Sequence, residues 1–363
     1  MRPSVLEVNL NNFIYNVEQI QNFVGKDIKI MPVVKANGYG SHINMRLDIM
    51  NRFDIVAVAL VSEAIYLREI GYDKEIFVLN QPALEEIDLI INNNITIGLS
   101  DLSFLEELGK RKDNVKVHIE IDTGMGRTGV LDLDNFIFEL KKYSNVIVEG
   151  VYTHLSSADS DYEYTDKQLE KFERSVVMLK EHFNLKYIHS SASNGLLNFK
   201  SSYCNTVRPG LILYGYESYP GVLNKIDIKP VCRLKSKITF LKEVEEGTSI
   251  SYSRSYITNK KTKVATIPMG YADGIRRSLS NRGNVVVNNT IVPIIGKVCM
   301  DSFMIDVTNL DVKVGDEVYL FDNELIKVED IASIYDSINY EVISTISDRV
   351  PRKFILGVKP NIS

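Results

Sequence analysis

The sequence predicts an α/β protein of two domains, an N-terminal (β/α)8 barrel over residues 1–225 followed by a C-terminal, mostly-β domain over 226–363. Three observations carry this. The first two-thirds of the chain alternates short apolar runs with amphipathic stretches, giving eight strand–helix units in about 220 residues. Around Glu217–Lys229 the composition shifts to Tyr, Pro, Gly and Asn without a clear period, as in a linker. Beyond it the pattern becomes period-two and rich in β-branched residues. A doubly wound open sheet ranks second, because it would usually have fewer strands. The first few residues could pack with the β domain.

In order, the candidate strands are Ile28–Val34, Ile55–Leu60, Glu75–Leu79, Ile95–Leu99, Val115–Ile121, Val146–Thr153, Tyr187–His189 and a short one near Asn205–Val207. Helix-like segments such as Ser62–Ile70, Leu102–Arg111 and Asp166–Glu181 separate most of them, the last opening on Thr165 as a candidate N-cap. After the linker, Leu234–Phe240, Lys263–Ile267, Val285–Ile295 with a turn at Asn288–Asn289, and Glu317–Phe321 read as strands of a domain of about 130 residues.

The chain has 363 residues, 45% hydrophobic and 25% charged, with net charge -5 and scattered Lys and Arg, which argues against nucleic acid as the main partner. No apolar stretch reaches the roughly 18 residues that would span a bilayer. The start, Met1–Val8, carries an early acid and no long apolar core, so a secretion signal is not expected. Cys204, Cys232 and Cys299 are odd in number and widely spaced, and the histidines are dispersed, so neither a disulfide framework nor a metal site is expected. A reduced, cytoplasmic enzyme is the default.

In a barrel the active site is built at the C-terminal ends of the strands. After the first strand come Lys35 and Tyr39 in a glycine-rich turn. A lysine at the rim of a core can have a lowered pKa and hold a carbonyl cofactor such as pyridoxal phosphate (PLP). After the fifth strand comes Asp122-Thr-Gly-Met-Gly-Arg127, after the sixth Thr153-His154 through Asp159, after the seventh Ser190-Ser-Ala-Ser193-Asn-Gly195, and at the eighth Arg208-Pro-Gly210. Taken singly, each has an ordinary reading: a surface lysine, a structural histidine, a turn, a helix cap. Together, Lys, Arg and Ser/Gly at barrel strand ends favour an anionic, carbonyl-bearing cofactor.

These residues closely resemble the bacterial alanine racemase family, PLP enzymes of the barrel-plus-β-domain type. The matching segments are Val34–Gly40, Asp122–Arg127, Arg208–Gly215, Ile250–Ser253, Gly270–Gly274, Gly296–Asp301 and Ser347–Arg352, in family order across nearly the whole chain. The resemblance implies a homodimer with shared sites and a small amino-acid substrate. It implies that Lys35 holds PLP and is one of two acid–base groups, with Tyr252 of a partner subunit as the other. It further implies that Tyr39, Ser193, Gly210 and Leu211 hold the phosphate, while Arg208 faces the pyridine nitrogen and His154 helps tune the site. Arg127 and the Met300 backbone would bind the substrate carboxylate, and Asp159, Tyr271, Arg277 and Asp301 would line the approach and the substrate side.

Three positions depart from the family pattern. Glu120 stands where many members have a carbamylated lysine, so no carbamylation and a Glu120–Arg127 pair are expected. Ala192 replaces an asparagine. Asp348 stands where a tyrosine usually narrows the pocket; it either faces solvent or widens specificity toward serine or a basic amino acid. A PLP decarboxylase of the same plan and a PLP-carrier protein are the rival functions. The carrier lacks a β domain, and no decarboxylase-type cysteine context surrounds Cys299.

Overall fold

The computed structural model describes residues 3–356; residues 1–2 and 357–363, the outer ends of the two expected domains, lie outside the described residues. A first strand, β1 (Val5–Asn9), precedes the barrel strands β2 (Lys29–Ile30), β3 (Ile55–Val58), β4 (Glu75–Val78), β5 (Thr96–Leu99), β6 (Val115–Glu120), β7 (Val146–Tyr152), β8 (Tyr187–His189) and β9 (Thr206–Val207). β3 to β8 form one parallel sheet in chain order. β2 pairs with β9, and a bridge from Val33 to Ala57 joins β2's continuation to β3. On the other side, the N–H of Asn205 reaches the carbonyl of Ile188 (3.1 Å) and that of Arg208 reaches Ser191 (2.9 Å), completing the cylinder. Strands covered on both faces need apolar residues throughout, and Ile55–Val58 and Thr96–Leu99 are buried at every position.

Only Lys29–Ile30 and the Val33 bridge of the run Ile28–Val34 pair as strand. The long helix expected from Asp166 spans Tyr162–Lys180, and its N-cap is Asp161, whose side chain accepts from Tyr164 N. Thr165 is instead buried inside the helix, its hydroxyl donating to the carbonyl of Asp161 (2.8 Å). Aspartate competes well with threonine for a cap, and the apolar pattern alone could not decide between them.

β1 leaves the barrel. It pairs antiparallel with β10 (Cys232–Lys237) and parallel with β19 (Arg352–Ile355). Between these run β11 (Phe240–Val244), β12 (Ser249–Ile250), β13 (Tyr256–Ile257), β14 (Thr262–Ile267), β15 (Asn284–Val287), β16 (Thr290–Ile295), β17 (Phe303–Asp306) and β18 (Glu317–Phe321). The nine-stranded sheet has the order β11-β14-β17-β16-β15-β18-β10-β1-β19. The stretch Leu234–Phe240, read as one strand, is two: the chain turns at Ile238–Thr239. Asn288 and Asn289, both at positive φ, make the tight hairpin turn between β15 and β16. Two helices, Val328–Tyr335 and Asn339–Ser344, interrupt the β pattern, and the second packs on the barrel.

Candidate active site

The turn after β2 is left-handed. Ala36, Asn37, Gly38 and Tyr39 all have φ between 51° and 59°, a conformation costing roughly 1–2 kcal/mol for each non-glycine residue. The Glu63 carboxylate holds it, accepting from the N–H of Ala36 (2.5 Å) and of Ala59 (2.8 Å). Gly40, with φ +78°, closes the turn where a Cβ would lie 2.3 Å from the carbonyl of Ile343. Strain of this kind persists only where the surroundings fix it, and here it brings Lys35 and Tyr39 to one cleft.

That cleft, about 170 Å³, is lined by Lys35, Tyr39, Arg127, His154, Ser193, Arg208, Gly210 and Leu211, together with Ala192. Asn80, Tyr152 and Tyr340 also line it and had no sequence signal that singled them out. Burial lowers the Lys35 pKa, and the Arg127 and Arg208 cations lower it further, against an opposing pull from Glu63. Burial also drives His154 down to about 3, assisted by Arg208, Arg127 and Lys35, so its imidazole is neutral.

Arg208 is 2% exposed, and its donors can be accounted for one by one. Nη1 donates to His189 Nδ1 (2.6 Å) and to the His189 carbonyl (2.8 Å). Nη2 donates to the carbonyls of Thr153 (2.8 Å) and Ser190 (3.3 Å), with His154 Nδ1 at 3.5 Å. Its Nε–H has no acceptor among the described residues, which leaves one cationic donor for the cleft. Burial pulls this guanidinium down to about 10, still a cation at neutral pH.

In the same cleft, hydroxyls and amides converge. Ser193 opens the helix Ser193–Asn198, and its Oγ accepts from Gly210 N (3.2 Å). Leu211 opens a 3-10 turn, where leading N–H groups have no partner within the turn. The Tyr39 ring lies against Tyr214 (4.7 Å) and Tyr340 (5.9 Å), and its hydroxyl sits over Gly210, where any Cβ would come within 2.4 Å of it.

The remaining candidates lie elsewhere. Glu120 is buried at the end of β6, but no ion pair joins it to Arg127. Its cross-strand neighbour Tyr152 donates to it instead (3.1 Å), because the β6–β7 register sets the two side by side. Asp159 is exposed beyond β7, where its charge raises the Tyr340 pKa after the larger effect of burial. Tyr252 (67% exposed), Tyr271 and Met300 lie on the surface of the β domain. Their loops are tied together: Tyr271 N donates to Cys299 O and Ala272 N to Met300 O, both at 3.0 Å, and Ser251 Oγ donates to Lys297 O at 2.7 Å. Asp301 on this rim accepts from Arg349 (2.7 Å), and Arg277 opens a nearby 3-10 turn. Asp348 does not line the cleft. It is 76% exposed, 3.1 Å from His42 Nε2 and 3.7 Å from Arg352. One chain therefore carries two separate groups of candidate residues, one in a barrel cleft and one on an exposed face.

Profiles of the alanine racemase N-terminal and C-terminal domains match residues 8–218 and 231–354. "Alanine racemase 2" of Caldanaerobacter subterraneus is 40% identical over 373 residues, covering 98% of this chain and 95% of its own. The alanine racemase of Halothermothrix orenii is also 40% identical, covering 97% of each chain. The solved structure of alanine racemase from Clostridium difficile superposes with TM-score 0.92 at 34% identity, covering 98% of this chain and 96% of that one. With both domains matched and relatives similar from end to end, the chain belongs to the alanine racemase family.

Proposed function

We propose that this chain is a PLP-dependent racemase interconverting L- and D-alanine, acting as a homodimer whose two sites each draw on both copies. The observation that carries the reading is the cleft itself. A lysine with a depressed pKa shares it with an arginine that has one free donor and with a cradle of hydroxyls and amides. These residues fit PLP: Lys35 would hold its carbonyl carbon, Arg208 its ring nitrogen, and Tyr39, Ser193, Gly210 and Leu211 its phosphate.

Bound there, PLP would withdraw electron density from the substrate Cα and make its proton removable. An arginine can only donate to the ring nitrogen, which limits that withdrawal and disfavours side reactions such as transamination. Racemisation needs bases on opposite faces of Cα. Lys35 Nζ serves one face, taking the proton in one direction of reaction and returning it in the other. Its ordinary pKa, about 10.4, is too high for a base at neutral pH, and burial beside two cations shifts it in the direction that role needs. Tyr252 Oη, exposed in a single chain, would serve the other face in the site of a second copy. His154 would sit between Arg208 and that tyrosine. Arg127 and the Met300 N–H would hold the substrate carboxylate, while Asp159, Tyr271, Arg277 and Asp301 would line the approach.

Asp348 bears on the substrate. A carboxylate already engaged by His42 and Arg352 is a poor anchor for a cationic side chain, which favours alanine over lysine or arginine. No helix among the described residues is long and apolar enough to cross a membrane, and all three cysteines are free; we place the enzyme in the cytoplasm.

The test is an exchange assay with L-Ala, L-Ser, L-Lys and L-Arg on wild type, Lys35→Ala and Asp348→Tyr. Alanine should be turned over fastest, and Lys35→Ala should abolish turnover. Asp348→Tyr, at an exposed position outside the cleft, should leave the ratio of serine to alanine turnover unchanged. Decarboxylation without D/L exchange, or PLP binding without turnover of any of the four, would refute the proposal.

A further inference from the structure

Behind Arg208, two buried histidines continue its hydrogen bonds into the barrel core. His189, the last residue of β8, and His118, in the middle of β6, are both 0% exposed. Arg208 Nη1 lies 2.6 Å from His189 Nδ1, and His189 Nε2 lies 2.9 Å from His118 Nδ1. His118 Nε2 is buried without a partner among the described residues. The rings are firmly held. His189 stacks on Tyr152 (5.2 Å, 8°), and His118 stacks on Phe77 (4.4 Å, 25°). Position 150 is glycine, where a Cβ would come 2.8 Å from the His118 ring.

The direction of this chain follows from its first member. An arginine has no acceptor, so His189 Nδ1 must accept. A neutral imidazole that accepts at Nδ1 carries its proton at Nε2, which donates to His118 Nδ1. By the same logic His118 carries its proton at the unpartnered Nε2. We infer that Arg208, His189 and His118 form a one-way hydrogen-bond relay in which both histidines are neutral Nε2–H tautomers, and that the two histidines are positioning residues for Arg208.

The relay gives Arg208 an acceptor that bears no charge. A carboxylate at that place would also accept, but it would neutralise the cation whose Nε–H faces the cleft. The charged groups acting on the two rings are Arg208, Lys186 and Lys116, all cations, while Glu120 is engaged by Tyr152. An imidazolium at His189 would turn a proton toward Arg208 and push the guanidinium out of register. That role rests on the reading of the cleft as a PLP site; the tautomers do not.

The test is ¹⁵N NMR of the PLP-loaded full-length chain labelled at histidine, with His118→Asn and His189→Asn identifying the two among five histidines. Both should show a protonated Nε2 and a bare Nδ1 from about pH 5 to about pH 9. A proton on Nδ1 of either, or an imidazolium in that range, overturns the relay. The positioning role is read by PLP affinity and by the absorbance maximum of the bound cofactor. His189→Asn keeps an oxygen acceptor near the Nδ1 position, whereas His189→Leu leaves a buried arginine proton unpaired. His189→Leu should weaken PLP binding about tenfold or more and shift the absorbance; His189→Asn should stay within about threefold. Equal effects of the two substitutions overturn the positioning role. If the wild type takes up no PLP, the functional reading fails, and the same NMR on the bare chain still decides the relay.

Discussion

Alanine at position 210 would place a methyl group 2.4 Å from the Tyr39 hydroxyl oxygen and 3.1 Å from its Cζ. This lack of space sets a cost on Gly210→Ala. Tyr39 has little room to retreat, because it is buried and packed on Tyr214 and Tyr340. Overpacking of this kind costs about 1–3 kcal/mol. If that falls on the cradle, PLP affinity drops about 5- to 150-fold. Absorbance titration with PLP measures the loss, and denaturant unfolding of the cofactor-free chain measures the part borne by stability. The double variant Tyr39→Phe/Gly210→Ala removes the nearest clashing atom and leaves Cζ as the closest. Its stability loss should be smaller than the sum of the single losses. Wild-type PLP affinity and stability in Gly210→Ala, or strictly additive losses, would refute the reasoning.

Two further outcomes follow from buried carboxylates. Glu120→Gln keeps an acceptor for Tyr152 but removes a negative charge that supports the Arg208 cation. It should lower kcat/KM about tenfold, or about 1.4 kcal/mol, and unchanged kinetics would remove Glu120 from the site. Glu7 on β1 is 4% exposed and paired with Arg233 (2.7 Å) and Lys235 (3.0 Å). Burial alone would raise its pKa, but the two pairs outweigh it and hold the carboxyl below its ordinary 4.5. A depressed carboxylate stabilises the fold above its unfolded pKa, and that contribution is lost as pH falls through the folded value. Glu7→Gln should therefore be less stable than wild type at neutral pH, with the gap closing below about pH 4.5. Denaturant unfolding against pH checks this; a gap that widens in acid contradicts it.

The barrel was legible because a strand buried on both faces leaves a continuous apolar run, and the chemistry at its end follows directly in sequence. Lys35, Arg127, His154, Ser193 and Arg208 could each be found that way, and all line one cleft. Partners set by register or long-range packing left no such trace. Tyr152 meets Glu120 only because β6 and β7 pair in that register. Tyr340 reaches the cleft on a helix more than a hundred residues from the last barrel strand. Glu63 reads as an ordinary helix-start acid, yet it holds the left-handed turn that presents Lys35. His118 and His189 are hidden for another reason: each sits in an apolar strand, where a lone histidine is more often structural. Tyr252 shows the opposite case, since its segment was recognisable in sequence while a single chain gives it nothing to touch in the cleft.

The central claim is that Lys35 of one copy and Tyr252 of another complete one site. Lys35→Ala and Tyr252→Phe chains, each inactive alone, should be unfolded together, refolded as a mixture in equal amounts and assayed for L-to-D alanine exchange. Half of the resulting dimers would be mixed, and each mixed dimer would hold one intact site of two, so about a quarter of wild-type activity should return. A mixture that forms mixed dimers and stays as inactive as its parents would contradict the shared site.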